Sequence, residues 1–226
     1  MSLANKDNTL VIVPTYNAKR HLKQLFQEII AQIPINQIVA IDDGSTDGSY
    51  ELCQSLGINC IRFDANKGKG AALKAGFKYG IDNKFEYAFT LDSDLQHSPK
   101  SIPRFFRKQN YVLADLIIGK RDFVIKKMPF MRILSNTITS KIVSLFSGQR
   151  IYDSQCGYRL YRLDKLRNIH IEEDRYQFET AVILEMSKQL SKIDYVQIET
   201  IYNDEKSYIN SLRDIKNFLK VILKYI

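Results

Sequence analysis

The sequence predicts an α/β fold in which a mainly parallel, Rossmann-like sheet carries helices on both faces. Short β-rich apolar runs alternate with segments of helical period, and the β-rich runs end in polar loops. The 226 residues contain no Pro-, Gly- or Ser-rich linker, so we expect one domain over residues 1–226. No apolar run approaches the roughly 20 residues that span a bilayer, and the start of the chain lacks a signal sequence. A cytoplasmic location is therefore expected.

The predicted elements follow one another as strand and helix. Thr9–Pro14 is rich in β-branched residues and predicts the first strand, and His21–Gln32 repeats apolar residues at helical spacing. Ser45, a favoured N-cap, begins a helix to about Leu56 after the strand Gln37–Asp42. By the same criteria, strands are predicted at 59–63, 87–91, 116–119, 158–161 and 195–201, and helices at 70–81, 98–109, 128–146, 178–190 and 209–226.

Polar side chains follow the first, second and fourth of these strands. The segments are Thr15-Tyr16-Asn17, Asp42-Asp43-Gly44-Ser45 and Asp92-Ser93-Asp94. In open α/β sheets ligands bind at the carboxyl ends of the strands, so we expect these segments to converge on one crevice.

Asp92 and Asp94 are separated by one residue after a predicted strand. Alternate residues of an extended chain point the same way, which lets both carboxylates face one cation. Such hard oxygen ligands suit Mg²⁺ or Mn²⁺, which proteins usually bind through one or two carboxylates plus substrate phosphates. Taken alone, the tripeptide is equally typical of a solvated loop or a helix cap.

Asn66-Lys67-Gly68-Lys69-Gly70 precedes a helix rich in small residues, and two interpretations remain open for it. Glycines before a helix N-terminus expose backbone amides to phosphate. The same small residues also allow the helix to pack closely on the sheet. The spacing does not match a Walker A loop, because no Ser or Thr follows a Gly-Lys pair.

Together these motifs resemble family 2 glycosyltransferases of the GT-A fold, and among them the dolichol- and polyprenol-phosphate mannosyltransferases and their bacterial relatives. Four segments occur in the family's order: Val13–Asn17, Asp42–Asp47, Asn66–Ala71 and Asp92–Pro99. Gly119-Lys120-Arg121 is similar to that group's G-S-R element, and Asp153–Arg159 to its D-x-x-x-G-[FY]-R element.

The resemblance implies a role for each matching residue. It implies that the nucleotide and the donor sugar contact Pro14, Tyr16, Ile41, Asp43, Asp92, Ser93 and Gln96. Asp92 and Asp94 would hold Mg²⁺ or Mn²⁺, and Asp94, Asp153 and Arg121 would be catalytic. Lys120 and Arg159 would bind the acceptor phosphate. Ala18 stands where the family often has Glu, so the donor is left as a UDP- or GDP-hexose.

The implied reaction is a metal-dependent, inverting transfer of a sugar from a nucleotide diphosphate to a polyprenyl phosphate. A glycan hydroxyl is the alternative acceptor, and it would need a general base, for which Asp153 is the best candidate. A phosphate monoester is already largely ionised at neutral pH and needs none. A non-catalytic module that binds nucleotide sugars is the more remote alternative.

The net charge of +8 is concentrated in two stretches. Residues 120–150 hold seven basic residues against Asp122, and residues 209–226 predict a basic amphipathic helix. Either stretch would suit peripheral contact with the inner face of an anionic membrane, although the apolar face of the last helix could instead complete the core. No nucleic-acid-binding module is visible, so we expect no nucleic acid partner.

Overall fold

The computed structural model describes residues 2–121, 130–199, 201 and 211–225, with the side chains of 130–132 and 211–216 left out. Its seven strands are β1 (Thr9–Thr15), β2 (Ile38–Asp42), β3 (Asn59–Arg62), β4 (Tyr87–Thr90), β5 (Leu116–Arg121), β6 (Arg159–Arg162) and β7 (Ile193–Ile198). All seven were predicted, with ends that differ by one to three residues.

Eight helices accompany the strands in the described part of the chain. They are α1 (Lys19–Ile30), α2 (Ser49–Ser55), α3 (Lys69–Asp82), α4 (Ile102–Val112), α5 (Phe130–Ser147), α6 (Leu163–Leu166), α7 (Phe178–Lys188) and α8 (Ser211–Tyr225). The short α6 was not predicted. The predicted starts of α5 at Met128 and of α8 at Ile209 lie outside the described residues, as does Ile226.

The helix predicted from Ser45 begins later than expected. Its N-cap is Gly48, whose φ of 86° places it in the left-handed region, and α2 starts at Ser49. The Oγ atom of Ser45 accepts a hydrogen bond from the amide of Asn17 at 2.9 Å instead. The predicted cap therefore joins two loops and starts no helix.

The sheet is mainly parallel, as predicted, with the strand order β3-β2-β1-β4-β6-β5-β7. Only β6 runs against its neighbours: it pairs antiparallel with both β4 and β5, whereas β5 pairs parallel with β7. One reversed strand in the middle of the sheet was not apparent from the periodicity.

Helices cover both faces of the sheet. Because neighbours in register share a face, Leu10, Ile12 and Tyr161 lie on one side, and α3 packs there through Phe77, whose ring lies 5.0 Å from that of Tyr161. Phe89 faces the other side and meets Phe105 of α4 at 5.0 Å. No described helix is long and apolar enough to cross a membrane.

Candidate active site

The loops that follow β1 and β2 are held together at the carboxyl edge of the sheet. The amide of Asp43 donates to the carbonyl of Thr15 at 2.8 Å, and the amide of Thr46 donates to Asn17 Oδ1 at 2.9 Å. Asn17 accommodates this with a positive φ of 49°. The expected convergence of these two polar segments is thereby confirmed.

Among the predicted nucleotide contacts, only Tyr16 is well exposed, at 50%. Pro14 and Ile41 are buried and lie opposite each other in the β1–β2 register. Ile41 is a core residue with no accessible surface, so its side chain is not positioned to contact a nucleotide as predicted.

Asp43 braces the next loop along the sheet. Its two carboxylate oxygens accept hydrogen bonds from the amides of Lys67 and Gly68, at 2.7 and 2.8 Å. Asp43 is 3% exposed, and its observed role is to hold this loop in position. A direct nucleotide contact by Asp43 stays a prediction.

The glycines of this loop serve close packing, which favours the second of the two interpretations left open by the sequence. A Cβ atom on Gly68 or Gly70 would collide with the backbone of Asp174, and the amide of Ala71 donates to the Asp174 carbonyl at 3.0 Å. Further along α3, a Cβ on Gly76 would collide with Ile12 of β1. The amides of Gly68 and Ala71, on either side of the first residues of α3, are thus used within the protein.

Lys69, the first residue of α3, places its ammonium group between two carboxylates. Its Nζ atom lies 2.5 Å from Asp92 Oδ1 and 3.2 Å from Glu179 Oε1. Gly157 lines the same space, and a Cβ there would come within 2.6 Å of both Asp92 Oδ2 and Lys69 Nζ. Glu179 was not predicted from the sequence, because it lies in the first turn of a helix far along the chain and belongs to no recognisable motif.

The electrostatics of this cluster favour the charged forms of Lys69 and Asp92. Burial alone would raise the pKa of Asp92, but the attraction of Lys69, with smaller contributions from His97 and Arg121, lowers it. Burial alone would lower the pKa of Lys69, and Asp92 and Glu179 raise it instead. One ammonium is thus shared by two carboxylate groups.

The second aspartate of the pair lies in a tight loop. Asp94 Oδ1 accepts a hydrogen bond from the amide of Gln96 at 3.0 Å, and Leu95 between them has a positive φ of 58°. The carbonyl of Gln96 accepts from the amide of Ile201 at 2.9 Å, which ties this loop to the chain that follows β7. Ser93 and Gln96, like both aspartates, are partly exposed.

The donor set of Asp92 and Asp94 fits a hard divalent cation. Asp92 already balances one cation, the Lys69 ammonium, which shows that this position favours positive charge. No group of three or more His, Cys, Asp or Glu residues with metal-binding geometry occurs in the described ranges. Two carboxylates completed by diphosphate oxygens is the arrangement that Mg²⁺ usually adopts in proteins.

Arg121 and Asp153, two of the predicted catalytic residues, bind each other. Arg121 Nε and Nη2 donate to the two oxygens of Asp153 at 2.6 and 2.9 Å. The fully buried carboxylate also accepts from Asn136 Nδ2 at 3.1 Å and from the Gln155 amide at 3.2 Å. With four donors on its oxygens, Asp153 is poorly placed to act as a general base, and this geometry does not support that prediction.

The geometry of Arg159 does not support its predicted contact with an acceptor phosphate, which stays a prediction. Arg159 has no exposed surface, and its guanidinium donates to the carbonyls of Cys156, Ser154 and Glu179 at 2.6, 2.8 and 2.9 Å. The side chain therefore fixes the loop before β6 to the start of α7.

Lys120, the other predicted phosphate ligand, points to an aromatic ring. Its ammonium lies 4.3 Å from the centre of the Tyr152 ring, and Arg150 lies 4.7 Å from the same centre. Contact between Lys120 and a phosphate stays a prediction.

The sequence is similar to a known protein family and to several known proteins. Residues 10–170 match the family model described as Glycosyl transferase family 2. An uncharacterized protein of Methanocaldococcus jannaschii is 29% identical over 233 residues, covering 96% of this chain and 98% of that protein. Undecaprenyl-phosphate mannosyltransferase of Micrococcus luteus is 28% identical over 200 residues, covering 84% of this chain and 82% of that enzyme.

A similar fold occurs in glucosyl-3-phosphoglycerate synthase of Mycobacterium tuberculosis. Its crystal structure in complex with Mn²⁺, uridine-diphosphate-glucose and phosphoglyceric acid gives a TM-score of 0.76. The match covers 96% of this chain and 79% of that one, at 13% sequence identity.

Proposed function

The chain belongs to glycosyl transferase family 2 and has the GT-A fold, and we propose that it transfers a sugar from a UDP- or GDP-hexose to a polyprenyl phosphate. The observation that carries the proposal is the ion pair between the Lys69 ammonium and Asp92, the first aspartate of the Asp92-Ser93-Asp94 segment, at the carboxyl edge of the sheet. This ion pair directly follows the loop that Asp43 positions. The ammonium is available to a diphosphate, and the carboxylate is available to a cation.

The proposed donor site uses the two aspartates for metal and diphosphate. Asp92 and Asp94 would hold Mg²⁺ or Mn²⁺, Tyr16 in the loop after β1 would offer its exposed ring to the nucleotide, and Gln96 would contact the sugar. A divalent cation bound there supplies Lewis-acid neutralisation of the leaving diphosphate. The similarity to an undecaprenyl-phosphate mannosyltransferase supports this donor and acceptor chemistry.

The state of Asp153 favours a phosphate acceptor over a hydroxyl. A hydroxyl nucleophile requires a base with a free lone pair within hydrogen-bond reach, and the four donors on Asp153 leave it poorly suited. A phosphate monoester is already ionised and needs cations that bring it to an anionic donor. The Arg121 guanidinium, which Asp153 holds in place, lowers the pKa of Asp92 and so adds positive charge beside the donor site.

The exposed faces of two helices support contact with a membrane surface. Leu134, Ile138 and Leu145 form one exposed row on α5, which also carries the exposed Lys141. On α8, Val221 and Ile222 are buried, so that face completes the core, whereas Leu223 is 75% exposed. Apolar rows flanked by lysines are typical of helices that rest on anionic lipid. Lys126 and Lys127 lie outside the described residues.

The proposal is tested by following radiolabelled sugar from a panel of UDP- and GDP-hexoses into the organic phase, with short polyprenyl phosphate as acceptor and Mg²⁺ or Mn²⁺ present. We expect lipid-extracted label that chelation abolishes. Asp94→Asn should lower kcat/KM about 1,000-fold, because several kcal/mol of charge stabilisation are lost. Asp82→Asn, which removes a carboxylate from an exposed ion pair with Lys78 on α3, is the matched control and should retain activity.

Two outcomes would contradict the proposal. Label that enters a glycan hydroxyl and never the lipid would replace the acceptor and restore the need for a base. A folded Asp94→Asn protein with wild-type kcat/KM would remove the assigned role of the aspartate pair.

A further inference from the structure

We propose that Lys69 couples donor binding to metal binding, by occupying Asp92 until the donor diphosphate offers its ammonium a second anionic partner. The inference rests on the proposed function, and it concerns the order in which that site fills. It follows from three features of the cluster formed by Lys69, Asp92 and Glu179: its charge, its exposure and the freedom of its cation.

The first feature is the charge of the cluster. One ammonium lies within 4 Å of two carboxylates, so the group retains one net negative charge without a metal. A divalent cation that approaches Asp92 alone meets the Lys69 ammonium, which is 2.5 Å from Oδ1 and repels it. A diphosphate adds negative charge at the same place and relieves that repulsion.

The second feature is the unequal exposure of the two anions. The side chain of Asp92 is 29% exposed, whereas that of Glu179 is 6% exposed. Glu179, in the first turn of α7, is the inner anchor of the ammonium, and Asp92 is the partner that ligands reach. Lys69 therefore exchanges Asp92 for a diphosphate without losing its contact with Glu179.

The third feature is the mobility of the cation itself. A lysine ammonium is a point charge with three rotatable donors on a four-carbon stem, so a change of partner requires only side-chain rotation. Lys69 is also the first residue of α3, where the positive end of the helix dipole favours an anion. Gly157 lets the ammonium lie close to the backbone, since a Cβ there would come within 2.6 Å of Nζ.

The experiment measures Mn²⁺ binding by electron paramagnetic resonance of the free ion, first on the protein alone and then with UDP or GDP. Lys69→Met should bind Mn²⁺ at least about tenfold more tightly than the wild type in the absence of nucleotide, because the competing charge is gone. The factor by which nucleotide strengthens Mn²⁺ binding should shrink by a similar amount. Lys67→Met is the matched control, since it removes the same charge from the same loop but its ammonium lies over the Phe63 ring at 4.7 Å.

A folded Lys69→Met protein that binds Mn²⁺ no more tightly than Lys67→Met would overturn the inference. If Lys69→Met does not fold, the double variant Lys69→Met/Glu179→Gln removes one cation and one anion together and keeps the net charge of the cluster, and the same tightening is expected. Failure of the double variant to bind Mn²⁺ more tightly than Glu179→Gln alone would equally overturn it.

Asp92→Asn separates this inference from the proposed function. If Asp92→Asn abolishes Mn²⁺ binding while Lys69→Met leaves the affinity unchanged, only the coupling fails. If Asp92→Asn binds Mn²⁺ as the wild type does, the metal site itself is elsewhere and both fail.

Discussion

Two clusters, each of which combines a cation with carboxylates, lie at the same edge of the sheet, and their geometries differ. In the Arg121–Asp153 pair, a planar guanidinium meets a fully buried carboxylate through two hydrogen bonds, and Asn136 and the Gln155 amide supply two more donors. In the Lys69 cluster, one ammonium is shared by Asp92 and Glu179, and the Asp92 side chain is 29% exposed. The Asp153 carboxylate therefore accepts four hydrogen bonds, whereas the two carboxylates of the Lys69 cluster share a single ammonium.

This difference distinguishes a structural brace from a site that exchanges ligands. A bidentate guanidinium–carboxylate pair is geometrically specific and is costly to separate in a buried setting. A shared ammonium beside a partly hydrated carboxylate is not held to one geometry. We therefore assign positioning to Asp153 and ligand exchange to Asp92, although the motifs that contain them are equally acidic.

The largest expected effect is on stability, when the saturated pair is broken. Arg121→Met leaves the Asp153 carboxylate buried with two neutral donors, and the free energy of unfolding should fall by about 3–5 kcal/mol. Urea unfolding followed by far-ultraviolet circular dichroism measures this loss. Lys69→Met should cost less, because water reaches the partly exposed Asp92.

A compensating variant sharpens the same comparison. Arg121→Met/Asp153→Leu removes both charges and should recover most of the lost stability, since no uncompensated buried anion remains. Equal losses in Arg121→Met and Lys69→Met would show that the two groups are held alike and would contradict the distinction.

The sequence predicted the parts of the site that lie within single loops. Asp92 and Asp94 follow a strand that its apolar run identifies, and the polar ends of β1 and β2 meet because parallel strands end at one edge. Periodicity also identified every strand, but the reversed direction of β6 depends on long-range pairing with β4 and β5. Local patterns carry no information on that pairing.

The errors at the site have the same physical origin. Arg159 matches a motif, yet its guanidinium is satisfied by three backbone carbonyls that only the folded loop brings together. Glu179 lies 87 residues beyond Asp92, and only the packing of α7 beside α3 makes it a partner of Lys69. Tertiary contacts decide which polar groups form hydrogen bonds with one another. The motifs therefore identified the residues but not their roles.

A smaller effect on stability is expected from protonation of His97, whose pKa depends on charges in both clusters. Burial, with the Arg121 guanidinium, lowers the pKa of His97 from 6.5 to about 4, while Asp92 and Asp153 act in the opposite direction. The folded protein thus binds this proton less readily than the unfolded chain does. Stability from neutral His97 is fully present above pH 6.5 and is lost as the pH falls toward 4, by about 3 kcal/mol at most.

Urea unfolding of the wild type and His97→Gln at about pH 7 and about pH 4.5 measures the effect. The wild type should lose more stability than His97→Gln over this interval, because only the wild type carries the buried imidazole. Parallel losses in the two proteins would show that His97 titrates normally and is not held neutral between the two groups.

The smallest effect in this series comes from adding a methyl group at Gly157, where the Lys69 cluster lies close to the backbone. A Cβ at residue 157 would lie 2.6 Å from Asp92 Oδ2 and from Lys69 Nζ and 3.0 Å from Glu179 Oε1, so Gly157→Ala must displace all three side-chain ends. The ends of flexible side chains yield at modest cost, and we expect kcat/KM to fall about tenfold, equivalent to about 1.4 kcal/mol.

Gly148→Ala is the informative control for that variant. Its φ of 66° makes a side chain strained, but no atom lies within 4 Å of the added Cβ, so it should lose stability without losing activity. Gly157→Ala should do the reverse, because its backbone is ordinary and its neighbours are the charges that bind ligand. If Gly157→Ala instead lost stability and retained kcat/KM, the close contact between Gly157 and Lys69 would serve only to stabilise the fold. The Lys69 cluster would then be structural, like the Arg121–Asp153 pair.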